Sequence, residues 1–168
     1  MRRRFSPLLI LSCLSVGTAS FAQETQVPFG GLKHDASQKI EIASDSLVVS
    51  QGNANAEFTG GVKAGQGTLK IEADRLLVEY GTASDGSVTG AIEIMSAFGN
   101  VVLSNGAEAA QAQEAVYRVA DGQVRMTGDV ILTQGRNAIA GNVLNINLDT
   151  GDAVFEGRVR TVLEPVEN

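Results

Sequence analysis

The sequence predicts an all-β fold of antiparallel strands, and three observations support this prediction. Apolar and polar residues alternate with a period of two at residues 40–42, 69–71 and 144–148, which is the signature of half-buried strands. The chain contains 19 glycines and only 3 prolines, a composition typical of many short strands joined by glycine turns. After residue 22, no stretch shows a helical period with a cap.

Residues 1–22 are predicted to form a cleaved signal peptide. Three arginines lie near its start, an apolar run occupies residues 8–16, and Ser20 and Ala22 are small residues before a cleavage site. The apolar run is shorter than the roughly 20 residues that a membrane-spanning helix needs. Cys13 lies in this segment, so the mature chain is expected to form no disulfide. An uncleaved N-terminal anchor is the alternative.

The rest of the chain divides into a linker, one domain and a short tail. Residues 23–39 are interpreted as an N-terminal linker leading to the first strand, residues 40–165 as the β-domain, and residues 166–168 as the tail. Without the signal peptide the basic residues fall from 13 to 10 against 19 acidic ones, which leaves a net charge of −9. Because phosphate contacts need clustered lysine and arginine, no nucleic-acid partner is expected.

No group of residues suggests catalysis, a metal or a cofactor. His34 is the single histidine and lies in the linker, and the mature chain has no cysteine to act as ligand or nucleophile. A Gly-x-Ser-x-Gly segment is absent, and residues 65–67 lack the third glycine of a dinucleotide fingerprint. Asp149 and Asp152 flank a hairpin turn. A binding, structural or transport role without enzymatic activity is therefore predicted.

Two short elements repeat along the chain. A Gly-x-Val element, with an apolar residue two positions before the glycine, has its glycines at Gly60, Gly99, Gly128 and Gly157. An acidic or amide residue leads an apolar strand at Asp45, Asp74, Glu114 and Asn142. A glycine within a strand favours a bulge in a curved sheet, and room for a ligand along the inner face is the alternative. Residues 81–90 are interpreted as a turn-rich surface insertion.

The order of several segments resembles a known protein family. The segments that carry the resemblance are 40–45, 58–62, 66–76, 126–134 and 158–165. Together they are similar to the OstA-like (LptA) family of periplasmic lipopolysaccharide-transport bridge proteins, over roughly residues 33–165. The resemblance implies an open, slightly twisted, antiparallel β-jellyroll.

The resemblance also implies a function, a location and partners. Members of the family hold the acyl chains of lipopolysaccharide in an apolar trough, as part of a bridge from the inner to the outer membrane. The implied partners are lipopolysaccharide, an LptC-like inner-membrane subunit, an LptD-like outer-membrane translocon and further copies in head-to-tail contact. An aliphatic interior suits this role, since burial of each CH₂ contributes about 0.8 kcal/mol. An open jellyroll also leaves unpaired edges that recruit other strands.

The resemblance places lipid contacts, by motif match, at Ile40 and Ile42 in the first strand and at Tyr117 and Val119 in a later strand. The predicted lining of the apolar trough consists of Ile40, Ile42, Val62, Val101, Tyr117, Val119, Met126, Val130, Ile146 and Phe155. The basic residues nearest this lining are interpreted as solvated surface charges, with contact to lipid phosphates as the alternative. These residues are Lys39, Lys63, Lys70 and Arg75.

Two other functions are compatible with the pattern. The first is a membrane-tethered, LptC-like subunit, which would keep the segment at residues 1–22. The second is a structural β-repeat protein such as a β-solenoid fragment. The repeated glycines are separated by 39, 29 and 29 residues, and this uneven spacing argues against a solenoid, which keeps a steady period.

Overall fold

The fold is that of a computed structural model, which describes residues 26–28, Leu32 and residues 38–163. The predicted signal peptide, His34 and the predicted tail lie outside the described residues. The described residues form one sheet of 11 strands. The strands are β1 (Gln26–Pro28), β2 (Ile40–Ala43), β3 (Ser46–Ser50), β4 (Asn55–Gln66), β5 (Leu69–Thr82), β6 (Val88–Ser104), β7 (Glu108–Arg118), β8 (Gln123–Gln134), β9 (Asn137–Asn147), β10 (Asp152–Glu156) and β11 (Arg160–Val162).

The strands follow one another across the sheet almost in chain order. Their spatial order is β1-β10-β9-β8-β7-β6-β5-β4-β2, with β3 also paired to β4 and β11 also paired to β9. Every ladder among the described residues is antiparallel. The predicted all-β antiparallel fold is therefore confirmed. The β-solenoid alternative is wrong, because a solenoid stacks parallel strands.

An irregular line crosses the sheet near the middle of strands β4 to β9, and it is called the crease here. On each ladder that crosses this line, the pairing shifts register. At the two edges of the sheet the chain breaks there into separate strands, β2 and β3 on one side and β10 and β11 on the other. The crease comprises residues 44–45, 60–61, 74, 99–100, 113, 128–129, 142 and 157–158.

The crease divides the sheet into two halves that share six continuous strands. The short half contains β2, β11 and residues 62–66, 69–73, 101–104, 108–112, 130–134 and 137–141. The long half contains β1, β3, β10 and residues 55–59, 75–82, 88–98, 114–118, 123–127 and 143–147. Side chains of both halves meet in one hydrophobic cluster, which is the two-layer arrangement of a jellyroll.

The repeated glycines produce the crease, so the bulge interpretation is confirmed and the ligand-space alternative is wrong. Gly128 and the next residue, Asp129, both have positive φ, at 86° and 49°. A Cβ at Gly128 would lie 2.7 Å from the Cβ of Gln113 on the neighbouring strand. Glycine is needed because its left-handed backbone and its missing side chain both fit this contact. The residue next to Gly128 on the neighbouring strand is Gln113.

The segment at residues 81–90 forms a longer hairpin than the sequence suggests. β5 continues to Thr82 and β6 begins at Val88, so only residues 83–87 form the turn. Residues 82–91 are exposed, which confirms a surface insertion. The hairpin extends beyond the neighbouring strands. β4 pairs with β5 only as far as Glu79, and β7 pairs with β6 only as far as Ile94.

The N-terminal part of the chain contributes to the fold as well. Within residues 23–39, expected as a linker, β1 pairs with β10, and Val27 lies opposite Ala153. Leu32 is fully buried in the hydrophobic cluster. In the part of the chain that is described, no helix is long and apolar enough to cross a membrane.

Candidate functional site

The inner face of the long half carries two rows of apolar side chains that cross the strands from β3 to β10. Residues directly opposite each other on antiparallel strands point to the same face, so the register defines the rows. One row consists of Leu47, Phe58, Leu76, Ala97, Ala115, Met126, Leu144 and Phe155. The other consists of Val49, Ala56, Val78, Met95, Tyr117, Val124, Ile146 and Ala153.

The short half presents a matching apolar row to the same interior. This row consists of Ile42, Ala64, Ile71, Leu103, Ala110, Leu132 and Ile139, and it ends at Thr161 on β11. Between this row and the crease lie Val62, Val101 and Val130, which are 1%, 0% and 0% exposed. The interior between the halves is therefore apolar from one edge of the sheet to the other.

All ten residues predicted to line the trough face this interior. Seven of them belong to the buried cluster, which are Val62, Val101, Tyr117, Met126, Val130, Ile146 and Phe155. Ile40, Ile42 and Val119 are half-buried and pack against the cluster. Val119 was expected within a strand, but β7 ends at Arg118 and Val119 begins a short 3₁₀ helix, Val119–Asp121.

A cleft between the two halves remains unfilled towards β2. It is lined by Ile40, Ala64, Gly65, Gln66, Leu69, Lys70, Ile71, Met95, Leu103, Ala115, Tyr117 and Val124. Of the ten predicted residues, the structure brings only Ile40 and Tyr117 into this cleft. The other eight lie elsewhere in the interior, most of them in packed core.

The predicted lining did not include the other side chains that line the cleft. Met95 and Val124 lie on either side of Tyr117 on the neighbouring strands. Their place follows from strand register, which an isolated alternating pattern does not specify. Leu69 and Ile71 do show the alternation of a half-buried strand, so their inward orientation had a signal in the sequence.

The cleft is small, and the protein's own side chains fill most of the interior. Its volume is about 40 Å³, and each water molecule needs roughly 10–15 Å³ of such space. The cleft therefore has room for a few water molecules and not for an acyl chain. An open trough, as the resemblance implies, requires the two halves to move apart.

The two edges of the sheet differ in how well they cover the interior. At β3, the inward-facing Leu47 and Val49 are 52% and 61% exposed. At β10, the corresponding Phe155 and Ala153 are only 3% and 1% exposed. β1 covers the outer side of β10, whereas β3 has no strand beyond it among the described residues. The interior is thus accessible at β3 and covered at β10.

Polar side chains form a hydrogen-bonded rim at the outer margin of the short half. The side-chain amide of Gln66 donates to the carbonyl of Gln38 at 2.9 Å. The amide of Gln134 donates to the carboxylate of Glu108 at 2.6 Å, and the Glu108 N–H donates to the Asn105 side chain at 2.9 Å. Gln66 and Glu108 are 6% and 4% exposed. The apolar interior therefore has a polar boundary on this side.

Tyr117 lines the cleft and is a titratable residue. Burial of its ring raises the pKa of the phenol above its ordinary value, and the negative charges of Asp149 and Asp121 raise it further. The neutral phenol is therefore favoured. A neutral hydroxyl at the margin of an apolar interior is compatible with an apolar ligand beside it.

The four basic residues noted in the sequence lie outside the apolar interior. Arg75 forms an ion pair with Glu57 at 3.2 Å and lies 4.1 Å from the centre of the Phe98 ring. Lys39 forms an ion pair with the exposed Glu41. Lys63 and Lys70 are exposed, and Lys70 also borders the cleft. The prediction of solvated surface charge fits these positions, and contact with lipid phosphates is untested.

Residues 26–28, Leu32 and residues 38–163 contain no group of three or more histidine, cysteine, aspartate or glutamate side chains that could hold a metal ion.

Comparison with known proteins identifies the family. The model of the LptA/(LptD N-terminal domain) LPS transport protein family matches residues 41–152, from β2 to the start of β10. The chain belongs to this family. The predicted OstA-like (LptA) resemblance is therefore confirmed, and this family of lipopolysaccharide (LPS) transport proteins is of a non-enzymatic kind.

The chain is also similar to two known proteins. An uncharacterized protein of Rhizobium meliloti (strain 1021) is 34% identical over 157 residues, which cover 89% of this chain and 84% of the relative. The crystal structure of LptH, the LptA-homologous periplasmic component of the lipopolysaccharide transport device of Pseudomonas aeruginosa, has a TM-score of 0.66. Its sequence identity is 16%, and the similarity covers 78% of this chain and 99% of LptH. The LptH comparison confirms the fold.

Proposed function

We propose that this protein binds lipopolysaccharide in the periplasm and shields its acyl chains between the two halves of the sheet. In this proposal it forms part of a bridge from the inner to the outer membrane. The protein catalyses no reaction. The polar and charged head group stays in solvent, because the mature domain has a net charge of −9 and repels phosphate groups.

One observation supports this proposal above all others. The apolar interior is continuous across the sheet, and the buried polar or charged side chains of the described residues, Gln66, Ser96 and Glu108, lie outside the hydrophobic cluster. Such an interior suits acyl chains, because hydrophobic burial is non-directional and needs no matched polar partner. The protein's own side chains occupy this space, so binding of acyl chains requires the two halves to separate along the crease. The apolar contacts that are lost between the halves are replaced by contacts with the acyl chains.

Site-specific photo-crosslinking tests lipid binding. A photo-reactive amino acid replaces Ile42 or Tyr117, which face the interior on different halves of the sheet. We expect both positions to crosslink lipopolysaccharide in cells, with the adduct identified by mass spectrometry of protein purified from the periplasm. Glu41 and Arg118 are matched controls, because each is exposed and directly precedes or follows a tested residue. Absence of a lipid adduct at both Ile42 and Tyr117 would contradict the proposal.

The edges of the sheet support head-to-tail contact with further copies or with related domains. Among the described strands, β2 and β3 pair on one side only, with β4, and β11 pairs on one side only, with β9. β3 exposes Leu47, Val48 and Val49, and β11 exposes Val162. Unpaired strands with exposed apolar side chains recruit strands of a neighbour. The partners in this proposal are an LptC-like inner-membrane subunit, an LptD-like translocon and other copies of the chain.

A charge placed on β3 tests this contact. The variant Leu47→Lys adds a charge at an exposed edge, which opposes strand pairing. We expect light scattering to detect concentration-dependent association of the wild-type protein and to find this association abolished in the variant. Val88→Lys is the control, because Val88 is also exposed but lies in the β5–β6 hairpin. Equal association of both variants and the wild type would argue against contact through β3.

N-terminal sequencing of the protein from cells tests the location. We expect the mature chain to begin after residue 22 and to be released with the periplasmic fraction. A chain that keeps residues 1–22 and stays with the membrane would instead support the tethered, LptC-like alternative.

A further inference from the structure

The charged residues of the described chain are divided unevenly between the two halves of the sheet. The short half with its turns carries five basic and three acidic residues, a net charge of +2. The long half with its turns carries three basic and nine acidic residues, a net charge of −6. With the turns included, the short half comprises residues 39–43, 62–73, 101–112, 130–141 and 159–163, and the long half comprises residues 46–59, 75–98, 114–127 and 143–156.

The outer margin of the short half, where its strands turn away from the crease, is basic. Lys39 directly precedes β2, Lys70 is the second residue of β5, and Arg136 lies in the turn between β8 and β9. The acidic residues at this margin are Glu41, which pairs with Lys39, and Glu108, which is buried. The charge that this margin presents to solvent is therefore positive.

The outer margin of the long half is acidic. Four exposed aspartates lie in or directly beside its turns, and they are Asp85, Asp121, Asp149 and Asp152. One base, Arg118, lies at this margin and forms an ion pair with Asp121 at 3.0 Å. An anionic group placed at this margin would meet like charges, which repel it.

The unfilled cleft lies between these two margins. Ile40 and Lys70 line it on the short half, and Tyr117 lines it on the long half. Burial raises the pKa of the Tyr117 phenol, and the negative charges of Asp149 and Asp121 raise it further. Both carboxylates therefore act on the long-half side of the cleft, whereas a lysine borders its short-half side.

We propose that the outer margin of the short half, at Lys39 and Lys70, holds the phosphate groups of lipopolysaccharide while the acyl chains lie between the halves. This inference rests on the proposed lipid binding and adds an orientation to it. The head group stays in solvent, beside the basic margin and away from the acidic one. At physiological salt, exposed charges are screened beyond about 8 Å, so the local charge of each margin decides where the phosphates lie. The repulsion expected from the net charge of the domain arises mainly at the long half.

Lys70 is the residue best placed to bind a phosphate. It is exposed, it borders the cleft, and no ion pair joins it to another described residue. A lysine ammonium binds phosphate as a point charge with donors that rotate, so it needs no preformed pocket. Lys39 contributes less, because Glu41 competes with the phosphate for its charge. Arg75 is excluded, since it lies on the long half and pairs with Glu57.

Spin labels at the two margins test the position of the head group. Thr68 and Thr150 are exposed threonines in turns of the short-half and the long-half margin, respectively. Thr68→Cys and Thr150→Cys each accept one label, because the single cysteine of the chain, Cys13, lies in the predicted signal peptide. The ³¹P spectrum of purified lipopolysaccharide is recorded with the mature labelled protein. We expect the label at residue 68 to broaden the phosphate signal and the label at residue 150 to leave it nearly unchanged.

Inorganic phosphate is the control ligand for the spin-label experiment. We expect neither label to broaden its signal, because a margin without a pocket holds a phosphate only when acyl chains anchor the lipid. Equal broadening of the lipopolysaccharide signal by the two labels, or stronger broadening from residue 150, would overturn the orientation. Broadening of the inorganic phosphate signal from residue 68 would make this margin a site for free phosphate and would overturn the assignment to the lipid.

A charge reversal tests Lys70 itself. Lys70→Glu should weaken the binding of lipopolysaccharide about tenfold, because a repulsion replaces an attraction. Arg125→Glu is the matched control, since Arg125 is exposed on the long half and its replacement changes the net charge equally. Titration with fluorescent lipopolysaccharide measures both affinities. After enzymatic removal of its phosphates, the lipid should bind the wild type and Lys70→Glu equally well.

The outcomes of the titration separate this inference from the proposed function. Absence of binding to the wild-type protein would refute lipid binding itself. Equal loss of affinity in Lys70→Glu and Arg125→Glu would show that the net charge acts and not the margin, and would overturn the inference. A tenfold loss that persists with the phosphate-free lipid would show that Lys70 does not act through the phosphates, which would also overturn it.

Discussion

Two strands of the long half have the same inward-facing apolar pattern but opposite surroundings, since β3 lies at an edge of the sheet and β9 lies inside it. Leu47 on β3 and Leu144 on β9 lie in the same inward-facing row, and their side chains are 52% and 0% exposed. β3 pairs with one neighbour, whereas β9 lies between β8 and β10, and β1 covers β10. The difference arises from the neighbours of each strand. The sequence of a strand determines which face is apolar, and the strands paired beside it determine how far that face is buried.

The largest expected effect comes from removing the same side chain from the edge strand β3 and from the interior strand β9. Leu144→Ala leaves a cavity in packed core and should lower the free energy of unfolding by about 2–5 kcal/mol. Leu47→Ala changes a half-exposed side chain and should lower it by less than about 1 kcal/mol. Urea denaturation monitored by circular dichroism measures both values. Equal losses would show that β3 is as well covered as β9.

A smaller effect is expected from the crease at the accessible edge. Gly60 has φ +83°, and a Cβ there would lie 2.8 Å from the Cβ of Asp45. Gly60→Ala should therefore lower the free energy of unfolding by about 2–4 kcal/mol, from backbone strain and the close contact together.

Gly86→Ala is the control for the crease, because Gly86 has φ +82° but no atom within 4 Å of the added Cβ. Backbone strain alone should lower its free energy of unfolding by about 1–2 kcal/mol. If both variants lower the free energy of unfolding by the same amount, the close contact between Asp45 and Gly60 contributes nothing to stability at this edge.

Charge beside the apolar interior should affect binding more than stability. Ile42→Asp and Val119→Asp place a carboxylate beside the apolar interior at half-buried positions, where the side chain retains some contact with water. We expect each to lower the free energy of unfolding by about 1–3 kcal/mol and to abolish crosslinking of lipopolysaccharide at Tyr117. Ile42→Val is the conservative control. Normal lipid capture by both aspartate variants would mean that these positions do not face the lipid.

The smallest expected effect is a pH dependence that comes from Tyr117. Its pKa is raised in the folded protein, so above pH 10 the unfolded chain loses this proton more readily than the folded one. The free energy of unfolding should therefore fall as the pH rises through the alkaline range. At lower pH, Tyr117 should have no effect on how stability depends on pH. Tyr117→Phe should reduce the loss in alkaline denaturation experiments, with Tyr80→Phe as the control for removing a hydroxyl. An unchanged pH profile in Tyr117→Phe would contradict this assignment.

The sequence was sufficient to predict the strands and their inward faces. Alternation identified Ile40, Ile42 and Ile146 as inward-facing, because a residue's position in a strand determines its side of the sheet. The role of Met95 and Val124 could not be predicted in this way. It depends on which residues of neighbouring strands lie opposite each other, and the bulges at the crease alter that register.

The crease and the N-terminal segment show two further limits of sequence reasoning. The Gly-x-Val repeat was visible, but the positive φ of the following residue, as at Asn100 and Asp129, is a backbone property that many sequences do not reveal. Leu32 is a single apolar residue in a polar segment. One residue has no periodicity, so its burial depends on tertiary contacts alone.

The division of each edge into two short strands has a consequence for assembly. A neighbour that pairs with both β2 and β3 must present two strands inclined to each other at the same angle as the two layers of this protein. A partner with a different angle loses one of the two ladders. Pairing at the edge therefore depends on the angle between the partner's two layers. Subunits with a different angle bind more weakly, even when their backbone hydrogen-bonding groups are available.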